Sequence, residues 1–316
     1  MRPRRVTLSP VTTAPTADRP PHRRNWVWVV ALVAAFALIY AVVIALYAAN
    51  DRLATIRGCT GEPPDDAVLL SFTPEAVDAA GDRLNVNLSV LSFGPAGDTD
   101  TGLLADPLTV VVTDTDGARS FTVAAGELPS QQSIRLITEG YIERWPFDSH
   151  AVDVAFVSLQ EIDGELTPLS TLVCGSAHVP GWTFASAEVP GTDELVIDGE
   201  PVQQLRVIAT RSVATVAFGI VILGLMAVLP VLALTVAIAV HRGVRKAEPS
   251  LMSWMAALLF ATIPLRTFLP GSPPIGSWVD YLVVLWVVAG LVVALVIYVR
   301  AWLRWGSPGP RADPAG

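Results

Sequence analysis

Four long uncharged stretches are separated by polar segments along the chain. The first covers 26–49, and the others lie between Arg211 and His241, between Glu248 and Arg266, and between Asp280 and Arg300. About 20 apolar residues suffice for a helix to cross the hydrocarbon of a bilayer. The pattern therefore predicts four transmembrane helices, at 25–50 and at about 212–240, 249–268 and 278–300.

Two of these assignments have alternatives. The first stretch has a longer apolar core than a cleavable signal peptide, whose core has about 7–15 residues, so we favour an uncleaved signal anchor. The last two stretches are short enough to form a hairpin that enters the membrane and returns. Each is nevertheless long enough to cross it.

The segment between the first two stretches has a different period. In the run 83–93, Leu84, Val86, Leu88 and Val90 alternate with polar residues, which is typical of a half-buried strand. Further short β-prone runs follow, separated by turn residues, at 110–113, 120–124, 133–138, 151–159 and 205–210. Many short strands at this spacing predict an antiparallel β-sandwich.

The expected fold class is therefore membrane α plus all-β. Four transmembrane helices carry an antiparallel β-sandwich that is inserted between helices 1 and 2. The predicted domains are a basic disordered cytoplasmic tail (1–24), helix 1 (25–50), the β-sandwich (51–210), helices 2–4 (211–303) and a second cytoplasmic tail (304–316).

The distribution of basic residues predicts the orientation. Cytoplasmic loops are enriched in Arg and Lys, and here the basic residues lie in the N-terminal tail, in the loop 241–246 and after Arg300. Residues 51–210 carry 25 acidic but only 7 basic residues. We expect a multi-pass plasma-membrane protein with both termini cytoplasmic and 51–210 outside.

Composition supports the membrane assignment and excludes one class of partner. Charged residues make up 16% of the chain, against about 25% in soluble domains. Nucleic-acid binding needs a basic patch on a folded domain, and the folded domain here is acidic. The predicted partners are the lipid bilayer and a membrane or envelope protein.

The chain has two cysteines, Cys59 and Cys174, and both fall in the outer domain. The outside of a cell is oxidising, so we predict a disulfide between them. Two buried free thiols are the alternative.

No catalytic, cofactor or metal motif is found. The chain has no nucleophile elbow, P-loop or dinucleotide fingerprint, and its four histidines lack metal-ligand spacing. We therefore expect a protein that is not an enzyme and that has no cofactor. One polar pair is notable: Arg266 and Asp280 flank a short Pro-rich turn at matched depth, which predicts an ion pair that closes the hairpin. A simple interfacial arginine is the alternative.

The densest aromatic and polar cluster outside the predicted helices ends in Trp145, Pro146, Phe147 and Asp148. Pro146 restricts the backbone of Trp145 to extended or turn conformations, and the Asp148 side chain can cap a turn. This motif predicts a corner of the sheet with buried aromatic residues, or alternatively a binding surface.

Two parts of the chain resemble a known family. The run 254–261 (WMAALLFA), the sequence Pro264-Leu265-Arg266, the turn 270–276 (PGSPPIG) and Asp280-Tyr281-Leu282 resemble the C-terminal signature of the bacterial membrane family catalogued as domain of unknown function 4436. The order of one span, an outer domain with a Trp-Pro-Phe-Asp corner and three further spans is also similar to that family. The resemblance implies no activity, because none is assigned to the family.

The corner is also similar to the Pro-Phe-Asp turn of pentameric ligand-gated channels. The departures are large, since a span precedes the sandwich and no polar-striped pore helix follows it. Val152 and Val154 lie where the second cysteine of that loop would be expected.

These observations predict an envelope interaction or scaffold protein that recognises a partner through its outer β domain. A permease-like subunit of a transport complex is the first alternative, and a relative of ligand-gated channels is the second.

Overall fold

The computed structural model describes residues 23–49, 54–57, 65–98, 101–128, 131–187, 189, 196–197 and 200–305. The chain divides into two compact units, Met1–Ile44 and Ala45–Gly316. Most of helix α1, Arg23–Ala49, lies in the first unit and is described by itself. The β domain and the remaining helices belong to the second.

Fourteen strands are described. In chain order they are β1 Ala54–Arg57, β2 Val68–Asp78, β3 Arg83–Ser92, β4 Leu108–Val112, β5 Ser120–Val123, β6 Gln131–Ile137, β7 Glu139–Gly140, β8 Ser149–Ile162, β9 Glu165–Leu169, β10 Thr171–Ala177, β11 Trp182–Ala187, β12 Val196–Ile197, β13 Glu200–Pro201 and β14 Gln203–Arg211.

The strands form two main sheets. The first has the order β1-β10-β2-β3-β6, and the second has the order β11-β14-β8-β4-β5, with β7 and β9 also paired to β8. Strands β12 and β13 pair separately. The inward-facing residues of both sheets share one core, in which Phe72 meets Phe156 edge to face. The predicted sandwich is thus present over residues 68–211.

The alternation of apolar and polar residues in β3 buries the apolar face, as predicted. Leu84, Val86, Leu88 and Val90 are all buried. One pair departs from the purely antiparallel expectation, because β10 runs parallel to β2. About a hundred residues separate these two strands in the chain, which leaves ample length for the crossover that a parallel pair requires.

Three helices follow the sheets: α2 Val213–His241, α3 Pro249–Thr267 and α4 Leu285–Trp305. A π-helical turn, Asp280–Val284, leads into α4. The Ser212 side chain caps α2 by accepting a hydrogen bond from the Thr215 backbone N–H. All three helices are long and apolar enough to cross a membrane.

Small residues bring α2 and α4 close together. Ala233, Ala237, Ala294 and Ala301 are fully buried in the bundle, and small side chains allow transmembrane helices to approach closely. A Cβ added to Gly290 would lie 2.8 Å from Pro230 Cβ.

The expected arrangement of four helices around the inserted domain is not supported by the structure. In the described part of the chain, three helices pack together and meet the length and apolarity of a span. Among the described residues of α1, the apolar helical stretch is shorter than such a span and covers Val33–Leu46.

Candidate functional site

The Trp145 indole joins the β domain to the helices. Trp145 follows a short 3₁₀ turn, Ile142–Arg144, and is 1% exposed. It is buried in a cluster with Leu269 and Val279. Its ring also faces Gly219 of α2, where an added Cβ would lie 2.8 Å from the indole. The indole N–H donates a hydrogen bond of 2.8 Å to the Pro270 carbonyl in the loop between α3 and α4.

Asp148 forms a buried ion pair next to this corner. Its carboxylate accepts hydrogen bonds from Nε (3.1 Å) and Nη2 (3.0 Å) of Arg211. The sheet register explains the contact, because Ser149 at the start of β8 is opposite Thr210 near the end of β14. Both side chains are almost inaccessible to solvent. The pair therefore fixes the point where β14 passes into α2.

The Arg211 guanidinium makes two further contacts. It lies over the Trp182 ring, 4.1 Å from the centroid, which is a favourable position for a cation. On another side it touches Gly271 so closely that an added Cβ would overlap the guanidinium. Gly271 has a φ of +77°, a conformation in which glycine is favoured. Arg211 thus connects β8, β11 and the α3–α4 loop.

His150 completes the buried polar cluster. Its Nε2 lies 3.3 Å from Asp148 Oδ2, and its ring meets Trp182 edge to face. Its Nδ1 has no hydrogen-bond partner among the described residues and lies 3.8 Å from Asp82 Oδ1. Burial opposes ionisation of Asp148, but the hydrogen bonds to His150 and Arg211 and the charge of Arg211 lower the pKa of Asp148 below its ordinary value. The carboxylate is therefore held in its charged form.

The structure brings Arg266 and Asp280 together. Arg266 Nε and Nη2 donate to the two carboxylate oxygens at 3.1 and 3.0 Å, and Nη2 also donates to the Pro274 carbonyl. The Gly276 backbone N–H donates to Asp280 at 2.8 Å. These bonds close the loop between α3 and α4. The same loop supplies Pro270 and Gly271 to the β domain.

The corner motif is divided between the interior and the surface. Trp145, Pro146 and Asp148 are buried, whereas Phe147 is 74% exposed. The predicted burial of the aromatic residues thus applies to Trp145, and it is wrong for Phe147. The intervening residue points outward because the corner must direct Trp145 and Asp148 into two different buried contacts.

Cys174 is buried in β10, and Cys59 lies outside the described residues. Strand β1 pairs with β10 so that Arg57 is opposite Gly175. The chain thus passes next to Cys174 two residues before it reaches Cys59. The disulfide itself stays a prediction.

Sequence reasoning missed Arg211, His150, Trp182, Gly219 and Gly271. The one available signal was Arg211, an isolated charge between a β-prone run and a long uncharged stretch. No group of three or more His, Cys, Asp or Glu side chains placed to hold a metal ion occurs among the residues that the structure describes.

The fold and this junction define a class: a β-sandwich joined through buried polar contacts to helices that are long and apolar enough to cross a membrane. Residues 59–207 match the family described as Domain of unknown function (DUF4436), and residues 211–305 match Domain of unknown function (DUF8686). The resemblance to the DUF4436 family is thus confirmed over residues 59–207. The comparison with curated proteins gave no match.

The two matches divide the residues on which the resemblance was based. The Trp145–Asp148 corner falls in the DUF4436 segment, as predicted. The C-terminal signature, from Trp254 to Leu282, falls instead in the DUF8686 segment. The contacts of Trp145 with Pro270 and of Asp148 with Arg211 therefore join one family segment to the other.

Proposed function

We propose that this chain is a multi-pass plasma-membrane scaffold that is not an enzyme and that holds its β-sandwich on the outer face to recognise a membrane or envelope protein. The observation that carries the proposal is the double attachment of the sandwich. Trp145 is bonded to the α3–α4 loop, and Arg211 is enclosed between Asp148, Trp182 and the same loop. A binding domain attached in this way keeps one orientation relative to the membrane.

The buried polar groups at the junction favour a structural role over catalysis. The Asp148 carboxylate is shared by Arg211 and His150, and the Arg211 guanidinium is covered by the Trp182 ring. Catalytic groups need access to a substrate, whereas these side chains are shielded from solvent. Their arrangement supports rigidity, which reduces the entropic cost of binding a partner.

The proposed topology has four spans, with α1 as a signal anchor. Basic residues in the N-terminal tail, in the loop after α2 and after α4 support cytoplasmic placement of these segments. The acidic β domain and the α3–α4 loop then lie outside, and the contacts between them agree with placement on one side.

Labelling with a membrane-impermeant maleimide tests the topology in intact cells. Thr101→Cys, in an exposed turn of the β domain, should react from outside, whereas Arg245→Cys, in the exposed loop after α2, should react only after lysis. The parental chain provides the background signal. Labelling of Arg245→Cys in intact cells would contradict the topology.

Crosslinking with mass spectrometry in native membranes tests the function. The expected result is crosslinks between the β domain and one membrane or envelope protein. Crosslinks or co-purification with an ATPase would favour the permease-like alternative, and a homopentamer would favour the channel alternative.

A further inference from the structure

An open cavity of ≈220 Å³ lies at the edge of the sandwich. One wall is formed by residues of β5 and the turn before it, including Arg119 and Phe121. The other wall is formed by residues of β6, including Ile134 and Arg135. Strand β5 is an edge strand of one main sheet, and β6 is an edge strand of the other. The cavity therefore separates two sheet edges.

Both edges present backbone groups that the sheets do not use. The Arg119 carbonyl accepts a hydrogen bond from the Val112 N–H on β4. Backbone direction alternates along a strand, so Ser120 and Thr122 both direct their N–H and C=O groups away from β4. On β6, the Arg135 carbonyl accepts from Asp116 on the side opposite β3. Ser133 has the same orientation, and its backbone groups also point away from β3.

The edge of β6 is partly paired with residues 114–116, whereas among the described residues the outer edge of β5 is free. A free edge attracts a further strand, and natural proteins usually protect such edges because they offer a row of unpaired donors and acceptors. Recognition of extended peptides by strand addition uses the same groups.

The charges around the cavity indicate what such a strand carries. Arg119 and Arg135 both line it, and neither guanidinium has an ion-pair or side-chain hydrogen-bond partner among the described residues. Asp116, which also lines the cavity, is paired with Arg83. In a region with 25 acidic and 7 basic residues, two unpaired arginines at one cavity are a local exception. Guanidinium groups bind carboxylates well because their N–H donors match the two oxygens.

The size of the cavity fits a side chain better than a free ligand. Pockets for drug-sized molecules hold about 300–1,000 Å³, and this one is smaller. Phe121 and Ile134 are partly buried against the sandwich core and provide an apolar wall.

We propose that the partner of the β domain inserts an extended acidic segment at this cavity, adding a strand to the free edge of β5 and placing a carboxylate between Arg119 and Arg135. This inference rests on the proposed function, and it adds where the partner binds and what chemistry it presents.

Photo-crosslinking in native membranes tests the site. The residue p-benzoylphenylalanine replaces Gln132, which lines the cavity, and in a separate control it replaces the exposed Leu166 on β9. Mass spectrometry then identifies the crosslinked segment of the partner. The expected segment is extended and contains Asp or Glu at the contact.

Two sets of variants in the Gln132 background separate strand addition from simple charge attraction. Thr122→Pro removes an N–H that β4 does not use, so proline is tolerated there, yet it blocks an added strand. Its matched control is Thr122→Ala, because both variants lose the Thr122–Thr109 hydroxyl contact.

The charge variant combines Arg119→Glu with Arg135→Glu. Its control is Arg144→Glu, because the Arg144 guanidinium lies over the Tyr141 ring instead. Thr122→Pro and the charge variant should each lower crosslinking at least tenfold, and both controls should leave it unchanged.

Three results would overturn this proposal: no crosslink at Gln132, a contact segment without acidic residues, or equal crosslinking in Thr122→Pro and Thr122→Ala. If Leu166 captures the partner and Gln132 does not, the proposed function stands and this site is wrong. If photo-crosslinking from Gln132 and Leu166 and chemical crosslinking all fail to link the β domain to a partner, both proposals are wrong.

Discussion

Asp148 and Arg211 are 63 positions apart in the chain and form a buried bidentate ion pair at the end of the sandwich that meets the helices. Asp148 lies at the corner before β8, and Arg211 is the last residue of β14. Together with Trp182 they fill the space beneath the α3–α4 loop.

Breaking this pair should cost far more stability than breaking an exposed one. Asp148→Asn leaves the buried Arg211 charge uncompensated, and loss of one partner of a buried pair costs about 3–5 kcal/mol. Asp153→Asn is the matched control, because Asp153 pairs with Arg206 at the surface, where such pairs contribute about 0–1 kcal/mol. Thermal unfolding of both variants in detergent measures the difference. Equal melting temperatures would contradict the structural role of the pair.

Acid should weaken the junction through the same residue. Because the pKa of Asp148 is lower in the folded protein than in the unfolded chain, the ionised carboxylate stabilises the fold above the ordinary pKa of about 3.9. This stabilisation is lost as the pH falls through the depressed value. The melting temperature of the wild-type protein should therefore decline below about pH 4.

The pH series should be repeated with Asp148→Asn. This variant lacks the titrating group, so its melting temperature should depend less on pH over the same range. An identical acid decline in both proteins would assign the effect to other carboxylates.

The two glycines of α2 allow a test of the Trp145 contact. Alanine is favoured over glycine in a helix by about 1 kcal/mol, so Gly224→Ala, where an added Cβ meets nothing within 4 Å, should be neutral or stabilising. Gly219→Ala should be destabilising, because its Cβ would lie 2.8 Å from the Trp145 ring. Unfolding followed by tryptophan fluorescence compares the two. Stabilisation by both substitutions would show that the indole does not pack against α2.

Local patterns were sufficient for some elements and insufficient for others. The alternation around Val86 predicted β3 correctly, but β2 was missed because Pro74 interrupts its run, and the structure shows a register irregularity there. Strands β10 and β11 were missed because they contain Gly175 and three alanines, which have weak strand preference.

Local sequence patterns also predicted only part of the candidate site. Arg266 and Asp280 were paired from sequence because only a short turn separates them. The contact between Asp148 and Arg211 depends on the register of β8 against β14 and on the order of strands in the sheet, neither of which local periodicity determines. The exposed position of Phe147 follows from the same long-range contacts of its neighbours.

The predicted disulfide has a direct test. The loop between Cys59 and Cys174 is long, and its closure would stabilise the domain by about 4–5 kcal/mol in the chain-entropy model. We expect peptide mapping without reductant to recover the two cysteines in one linked species, and Cys59→Ser to lower the melting temperature. Recovery of both cysteines as alkylated thiols would support the alternative of two free thiols.

A pair of glycines with similar backbone conformations isolates the contact between Arg211 and the α3–α4 loop. Gly271 and Gly243 have φ values of +77° and +73°, so alanine introduces similar backbone strain at both, of order 1 kcal/mol. Only at Gly271 would the new Cβ also overlap the Arg211 guanidinium, whereas nothing lies within 4 Å at Gly243. Gly271→Ala should therefore lower the melting temperature more than Gly243→Ala. It should also make the loop 270–276 more sensitive to proteolysis. If the two variants behave alike, the loop does not depend on Arg211 and the proposed second attachment of the sandwich is wrong.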